Sequence, residues 1–238
     1  MGKELFEKGY AVELEKVSNL TTKMAYCSWQ GLFISLIGED PFNAAIKIDQ
    51  LVDIAERSDS PFMMLVFNAA KSNVMSGMEN YRQVLSSCHK ALDAIEGKSI
   101  RTGHVANVYY NLVMAELKSG ELEMAKKHYQ EGRALVELAP NWWEPRYDFL
   151  EGLILMNEAS PDDIRIEACL EKSIQGDEGV GAVVPAAQTR YYLARVLARR
   201  GEPERSLKMF TDLYTDFQSW DLSVWQQKCK QELEPYRF

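Results

Sequence analysis

Turn glycines return along this chain at nearly even intervals. Gly38 to Gly77 spans 39 residues, Gly77 to Gly120 spans 43, and Gly120 to Gly201 spans 81, or two intervals of about 40. Each lies between stretches whose apolar residues recur every three or four positions, the spacing that lines one face of an α-helix. The clearest copy, Asn107 to Pro140, reads NVYYNLVMAELKSGELEMAKKHYQEGRALVELAP: two amphipathic helices joined by a tight turn at Ser119-Gly120. One such pair cannot bury its own apolar face. A fixed period therefore predicts pairs stacked into a solenoid, each covering its neighbour. No stretch of comparable length alternates apolar and polar residues as a strand would, so the expected fold class is all-α.

The spacing predicts a single repeat domain over 1–238, with pairs at about 20–58, 60–97, 102–140, 144–176 and 186–217 and a cap helix over 221–234. Asp40-Pro41, Ser60-Pro61 and Ser160-Pro161-Asp162 are start signals. The Asp or Ser side chain accepts from a free N–H, and proline needs no N–H in the first turn. Residues 176–185, GDEGVGAVVP, read as a flexible inter-repeat loop. The last helix, starting at Asp221, carries Leu222, Trp225, Cys229 and Leu233 on one side and Gln and Lys on the other, the wet outer face a terminal cap requires. An unpaired amphipathic helix over 3–17 resembles the second half of a pair; it is either the remnant of a longer array or an N-terminal cap.

A repeat array grows its core in one dimension, so 238 residues need not share one core. A net charge of −8 argues against nucleic-acid or anionic-membrane partners, which call for a positive field. Cys27, Cys88, Cys169 and Cys229 are scattered among apolar helical positions without CxxC spacing and read as reduced, buried thiols. MGKELFEKGY carries charge where a signal peptide needs an apolar run, and the longest apolar stretches fall short of a membrane span. A cytoplasmic location is expected.

Within the clearest copy, Tyr110-Asn111-Leu112, Gly120, Ala125, Tyr129 and Gly132 fall where the tetratricopeptide pattern has its aromatic-Asn-Leu, turn glycine and small second-helix positions. Tyr192-Leu193-Ala194, Gly201, Ser206 and Phe210 repeat it; the other three pairs are degenerate, and their interval exceeds the usual 34. The chain resembles the tetratricopeptide family over most of 20–220. The segments 141–156, 166–174 and 190–217 are similar to divergent arrays found C-terminal to ATPase modules in bacterial signalling proteins, namely nucleotide cyclases, kinases and LuxR-type activators. The resemblance implies a right-handed superhelix of about five helix pairs with flanking terminal helices, acting as a regulatory or scaffolding arm. The catalytic and DNA-binding modules of such proteins have no counterpart in this sequence.

Motifs for chemistry are weak. Gly97-Lys98-Ser99 lacks the earlier glycine and preceding strand of a phosphate loop, since Leu92 stands five positions before Gly97, and reads as a helix stop. His89, His104 and His128 show no metal-ligand spacing, and no nucleophile elbow is present. No metal, cofactor or catalytic residue is expected.

The resemblance places the binding surface on the first helices of the pairs, whose inward positions include Asn107, Tyr110, Asn111, Met114 and Lys118 in one pair. In another they are Gln188, Tyr191, Tyr192, Arg195 and Arg199, with Asn68 and Lys71 added by a looser alignment. Asn and aromatic side chains suit an extended peptide backbone, and arginine takes a carboxylate or phosphate in bidentate fashion. Arg190, Arg195, Arg199, Arg200 and Arg205 are the one basic concentration; they either meet a ligand or serve a helix C-terminus and pair with Glu202 and Glu204. Trp142-Trp143 is either an exposed hot spot or a packed helix start. The leading expectation is a non-enzymatic module holding a protein or peptide of unspecified identity in its concave face. The alternative is a ligand-sensing arm that controls an associated enzyme through a small molecule or short peptide.

Overall fold

A computed structural model describes residues 23–24, 42–138 and 143–236, and over these the chain is helices and short connections, with no strand among the described residues. In chain order they are α1 (Phe42–Ser58), α2 (Pro61–Gly77), α3 (Tyr81–Ile95), α4 (Gly103–Ser119) and α5 (Leu122–Leu138). They continue as α6 (Glu144–Met156), α7 (Asp163–Gly179), α8 (Val183–Arg199), α9 (Pro203–Ser219) and α10 (Ser223–Leu233), closed by a short 3-10 turn. The helix at 3–17, the first helix of the opening pair with Cys27 and Gly38, the Asp40-Pro41 start and Trp142 lie outside the described residues.

The local signals act through identifiable bonds. Ser60 Oγ accepts from Met63 N ahead of Pro61, and Asp162 accepts from Ile164 N and Arg165 N at 3.1 and 3.2 Å. Gly120 (φ 78°) and Gly201 (φ 82°) take the left-handed conformation that closes a helix. Glu121 N then donates to Glu116 O, and Glu202 N to Leu197 O, which satisfies carbonyls the helix end leaves open. Gly97 is left-handed too, a helix stop as expected.

Three boundaries differ from the sequence reading. Gly77 is the last residue of α2, and the left-handed position falls on Glu79. Asp221 is likewise left-handed (φ 59°), so the last helix begins at Ser223. The glycine-rich stretch 176–185 is mostly helical. α7 runs on to Gly179, and Pro185 sits in the first turn of α8, where its missing N–H costs nothing. α7 continues because Asp177 is buried in an ion pair with Arg146 of α6, and because the absent Cβ of Gly176 makes room for the Pro145 ring.

Each helix packs on the next in sequence, and the first helices α2, α4 and α6 also pack on one another. Phe149 on Tyr192 carries this row from α6 to α8, and Tyr191 on Trp225 carries it to α10. α10 is thus a further member of the row. Leu112, Leu150 and Leu197 are fully buried between the layers; each contributes about 2 kcal/mol by leaving water. Second helices dock through small residues. Ser206 of α9 donates to Ala194 O, and Gly132 of α5 lies under the Tyr147 ring, whose hydroxyl donates to Ala106 O at 2.8 Å. No helix among the described residues is long and apolar enough to cross a membrane.

Candidate functional site: a cationic groove on the row of first helices

α4, α6 and α8 present their C-terminal ends to a groove of about 250 Å³. Its floor is Met114 and Leu117 of α4 with Leu153 and Met156 of α6; Tyr192 of α8 forms one side. Lys118, Asn157, Arg195 and Arg199 make the rim. The arrangement follows from helix periodicity: Met114, Leu117 and Lys118 share one face of α4, Leu153, Met156 and Asn157 continue α6, and Tyr192, Arg195 and Arg199 share a face of α8. Burial raises the Tyr192 hydroxyl to about 12, so it stays a neutral donor.

The rim cations are held loosely. Arg195 is half exposed, and its Nε lies 3.4 Å from Glu232 of α10. Arg199 pairs with Asp163 at the start of α7, and Lys118 has no ion-pair partner among the described residues. Asn157 donates to Leu153 O at 2.8 Å, leaving its own carbonyl oxygen for a visitor.

Of the twelve inward residues named from the sequence, Met114, Lys118, Tyr192, Arg195 and Arg199 meet at this groove. Gln188 is buried, and the other six are engaged elsewhere. Asn107 and Asn111 are buried, and Asn111 Nδ2 faces Asn107 Oδ1 at 3.0 Å, Ser72 Oγ at 3.1 Å and Asn73 Oδ1 at 2.5 Å. Asn68 is buried on α2 and donates to Met64 O. α2 and α4 cross so closely that Asn111, expected to face a ligand, meets Ser72 and Asn73 of α2 instead. Lys71 pairs with Asp49 of α1. Tyr110 packs on Trp143 at 5.7 Å, and Tyr191 donates to Glu232 at 2.8 Å. Trp143 is buried, the packed alternative for that tryptophan. Arg190, Arg200 and Arg205 lie off the groove, paired with Glu178, with Glu167 and Glu202, and with Glu202.

Leu117, beside Lys118, is not one of the inward pattern positions, and Leu153, Met156 and Asn157 were missed, since the pair at 144–176 is too degenerate to align. Their spacing in LILMN, one apolar stripe ending in an amide, was the available signal. A second buried polar centre also escaped: Arg146 on α6 pairs with Asp177 and donates to Ser173 Oγ and Thr189 Oγ1 at 3.1 and 3.2 Å, and burial lowers its pKa to about 10. It ties α6, α7 and α8 together behind the groove. No three His, Cys, Asp or Glu side chains among the described residues are grouped to hold a metal ion. No protein-family model matches the chain, and no curated protein matches it.

Proposed function

We propose that this protein is a non-enzymatic interaction module that holds an extended segment of a partner protein in the groove between α4, α6 and α8. One observation carries the reading: an apolar floor rimmed by Lys118, Arg195 and Arg199, in a chain whose net charge is −8. The stacked pairs, with first helices in a row, support a tetratricopeptide-like array serving as the arm or scaffold of a bacterial signalling protein. At about 250 Å³ the groove is smaller than the ordinary range for drug-sized ligands, roughly 300–1,000 Å³, which favours a few side chains of a longer segment over an engulfed small molecule.

A peptide-display selection on the wild type, run in parallel on an Arg195→Glu/Arg199→Glu variant, tests this. Both arginines are solvent-accessible, so the variant should fold as the wild type does by circular dichroism. Peptides enriched by the wild type should be lost on the variant. The same peptides on both would remove the groove from consideration. A thermal-shift screen addresses the ligand-sensing alternative, because a small molecule that binds only the folded state raises Tm by mass action.

A further inference from the structure

Two features of the groove are left unmatched by the described residues. One is its apolar floor: Met114, Leu117 and Met156, with Tyr192 beside them, pack on the core between α6, α7 and α8 yet stay half-buried. The other is a charge on its rim. Arg195 pairs with Glu232 and Arg199 with Asp163, so each arginine already has a carboxylate. Lys118 is exposed and has no ion-pair partner among the described residues, which makes it the unmatched cation of the rim. It stands in the last turn of α4, where a cation also suits the helix dipole. The dipole asks for no specific bond, and an ammonium carries three donors.

Floor and cation lie on one face of one helix. Met114 and Lys118 are a turn apart on α4, about 6 Å along its axis. In an extended segment alternate side chains point the same way, about 6.6 Å apart. An apolar side chain seated on Met114, in a segment running along α4, therefore brings the side chain two residues away over Lys118.

Resting on the groove reading above, we propose that the occupant is an extended acidic segment with one carboxylate on Lys118 and an apolar side chain, two residues away, on Met114, Leu117 and Met156. The arginines stay with Glu232 and Asp163, so those two carboxylates do not repel the occupant. The floor favours a segment over a bare anion, which would leave the apolar side chains uncovered. Met114 and Met156 are unbranched and polarizable, so the floor adapts to more than one apolar side chain, and the carboxylate fixes the register.

Fluorescence anisotropy on the full chain tests this with three end-capped peptides bearing the same label. Each has leucines two residues either side of one variable position, which is glutamate, glutamine or lysine. The wild type should bind the glutamate peptide about fivefold tighter than the glutamine one, as a single partly exposed ion pair allows, and the difference should fade as salt rises. Lys118→Glu should reverse the order in favour of the lysine peptide, an exchange that a merely unfolded variant cannot show. A glutamate preference that survived Lys118→Glu would overturn the placing of the carboxylate on Lys118. Equal binding of all three peptides, abolished in a Met156→Glu variant that keeps the wild-type circular dichroism, would overturn the acidic occupant and leave the groove standing. Binding indifferent to Met156→Glu would overturn both. Isocaproate, a lone carboxylate with an apolar tail, competing as strongly as the glutamate peptide would replace the segment with a small acid, and no binding of the glutamate peptide would end the proposal.

Discussion

The row of first helices is sealed in one half and open in the other. Between α2 and α4 the amides of Asn73, Asn107 and Asn111 meet each other and Ser72 and are buried. Between α4, α6 and α8 long charged side chains stand around an apolar floor and leave a groove. Both halves draw on inward positions of the first helices, Asn107 and Asn111 from the first half of α4 and Lys118, Arg195 and Arg199 from toward the C-terminal ends of α4 and α8, so they differ in place as well as in reach. An asparagine on α4 is short enough to find a partner on α2 and be buried, whereas Lys118, Arg195 and Arg199 extend past the helix ends into water. Polarity at an inward position thus predicts binding only where the neighbouring helix cannot satisfy it.

The joint between the halves is the most sensitive point. A Cβ on Gly132 would lie 2.7 Å from Tyr147 Cε1 and 2.8 Å from Tyr109 Cβ, and it would also collide with the Tyr147 hydroxyl. That hydroxyl donates to Ala106 O of α4. Alanine gains roughly 1 kcal/mol of helix propensity, but overpacking and the lost hydrogen bond outweigh it. Gly132→Ala should cost about 3 kcal/mol net, read by urea denaturation. Wild-type stability in that variant would mean the two halves are not locked through Tyr147.

The next effect separates sealing from binding. Asn111→Ala removes the donor shared by Ser72, Asn73 and Asn107 and leaves their buried acceptors short of a partner. It should cost about 2 kcal/mol while leaving peptide affinity at the groove within twofold. A large loss of affinity with intact folding would return Asn111 to the binding surface where the sequence placed it.

The fold was more legible than the site, for a physical reason. Helix starts and stops are local: Ser60, Asp162, Gly120 and Gly201 act on backbone groups within a few residues, so one sequence suffices to see them. Glu79 and Asp221 escaped because a non-glycine residue in the left-handed conformation leaves no signature, and α7 outran its glycines because Arg146 lies 31 positions away from Asp177. The groove is not local at all. Whether an inward residue is sealed or open depends on how closely two first helices approach, and periodicity does not encode that distance. Charge was the usable signal: Lys118, Arg195 and Arg199 were found, and the three asparagines were not what they resembled.

Beneath the sealed half, between α4 and α5, stability should also respond to pH. Glu116 Oε1 and His128 Nδ1 are buried 2.7 Å apart. Burial, reinforced by Glu121 and Glu131 and opposed by Lys127, raises the Glu116 carboxyl to about 7. Burial also lowers the His128 pKa, against the pull of Glu131 and with Lys127 and His89 adding to the fall. The folded state therefore favours a protonated Glu116 donating to a neutral ring. A carboxyl raised in the fold contributes fully below its unfolded value and loses that contribution as pH climbs through about 7. The neutral ring contributes above the ordinary histidine value and loses it as pH falls. Glu116→Gln keeps a donor and removes the charge, so it should gain on the wild type by about 1.5 kcal/mol between pH 5 and 8. Parallel Tm curves for the two proteins over that range would show that the pair does not titrate there.

The smallest effect on stability belongs to the open half, which makes it the cleanest probe of function. Arg199 is two-fifths exposed, and its pairing with Asp163 bridges α8 to the start of α7 at the surface. Exposed pairs of this kind contribute little, because solvent screens them and holding two long side chains costs entropy; Arg199→Ala should move stability by no more than about 0.5 kcal/mol. Its effect on capture of an acidic segment should be larger and of a different kind. Removing one rim charge weakens the long-range attraction that guides an anionic partner toward the groove, so the association rate should fall a few-fold at low salt, and the difference should fade as salt screens the rim. The same variant in 0.5 M salt should then be indistinguishable from the wild type. A loss that persisted there would instead mean that Arg199 contacts the bound segment directly, leaving Asp163 to do so.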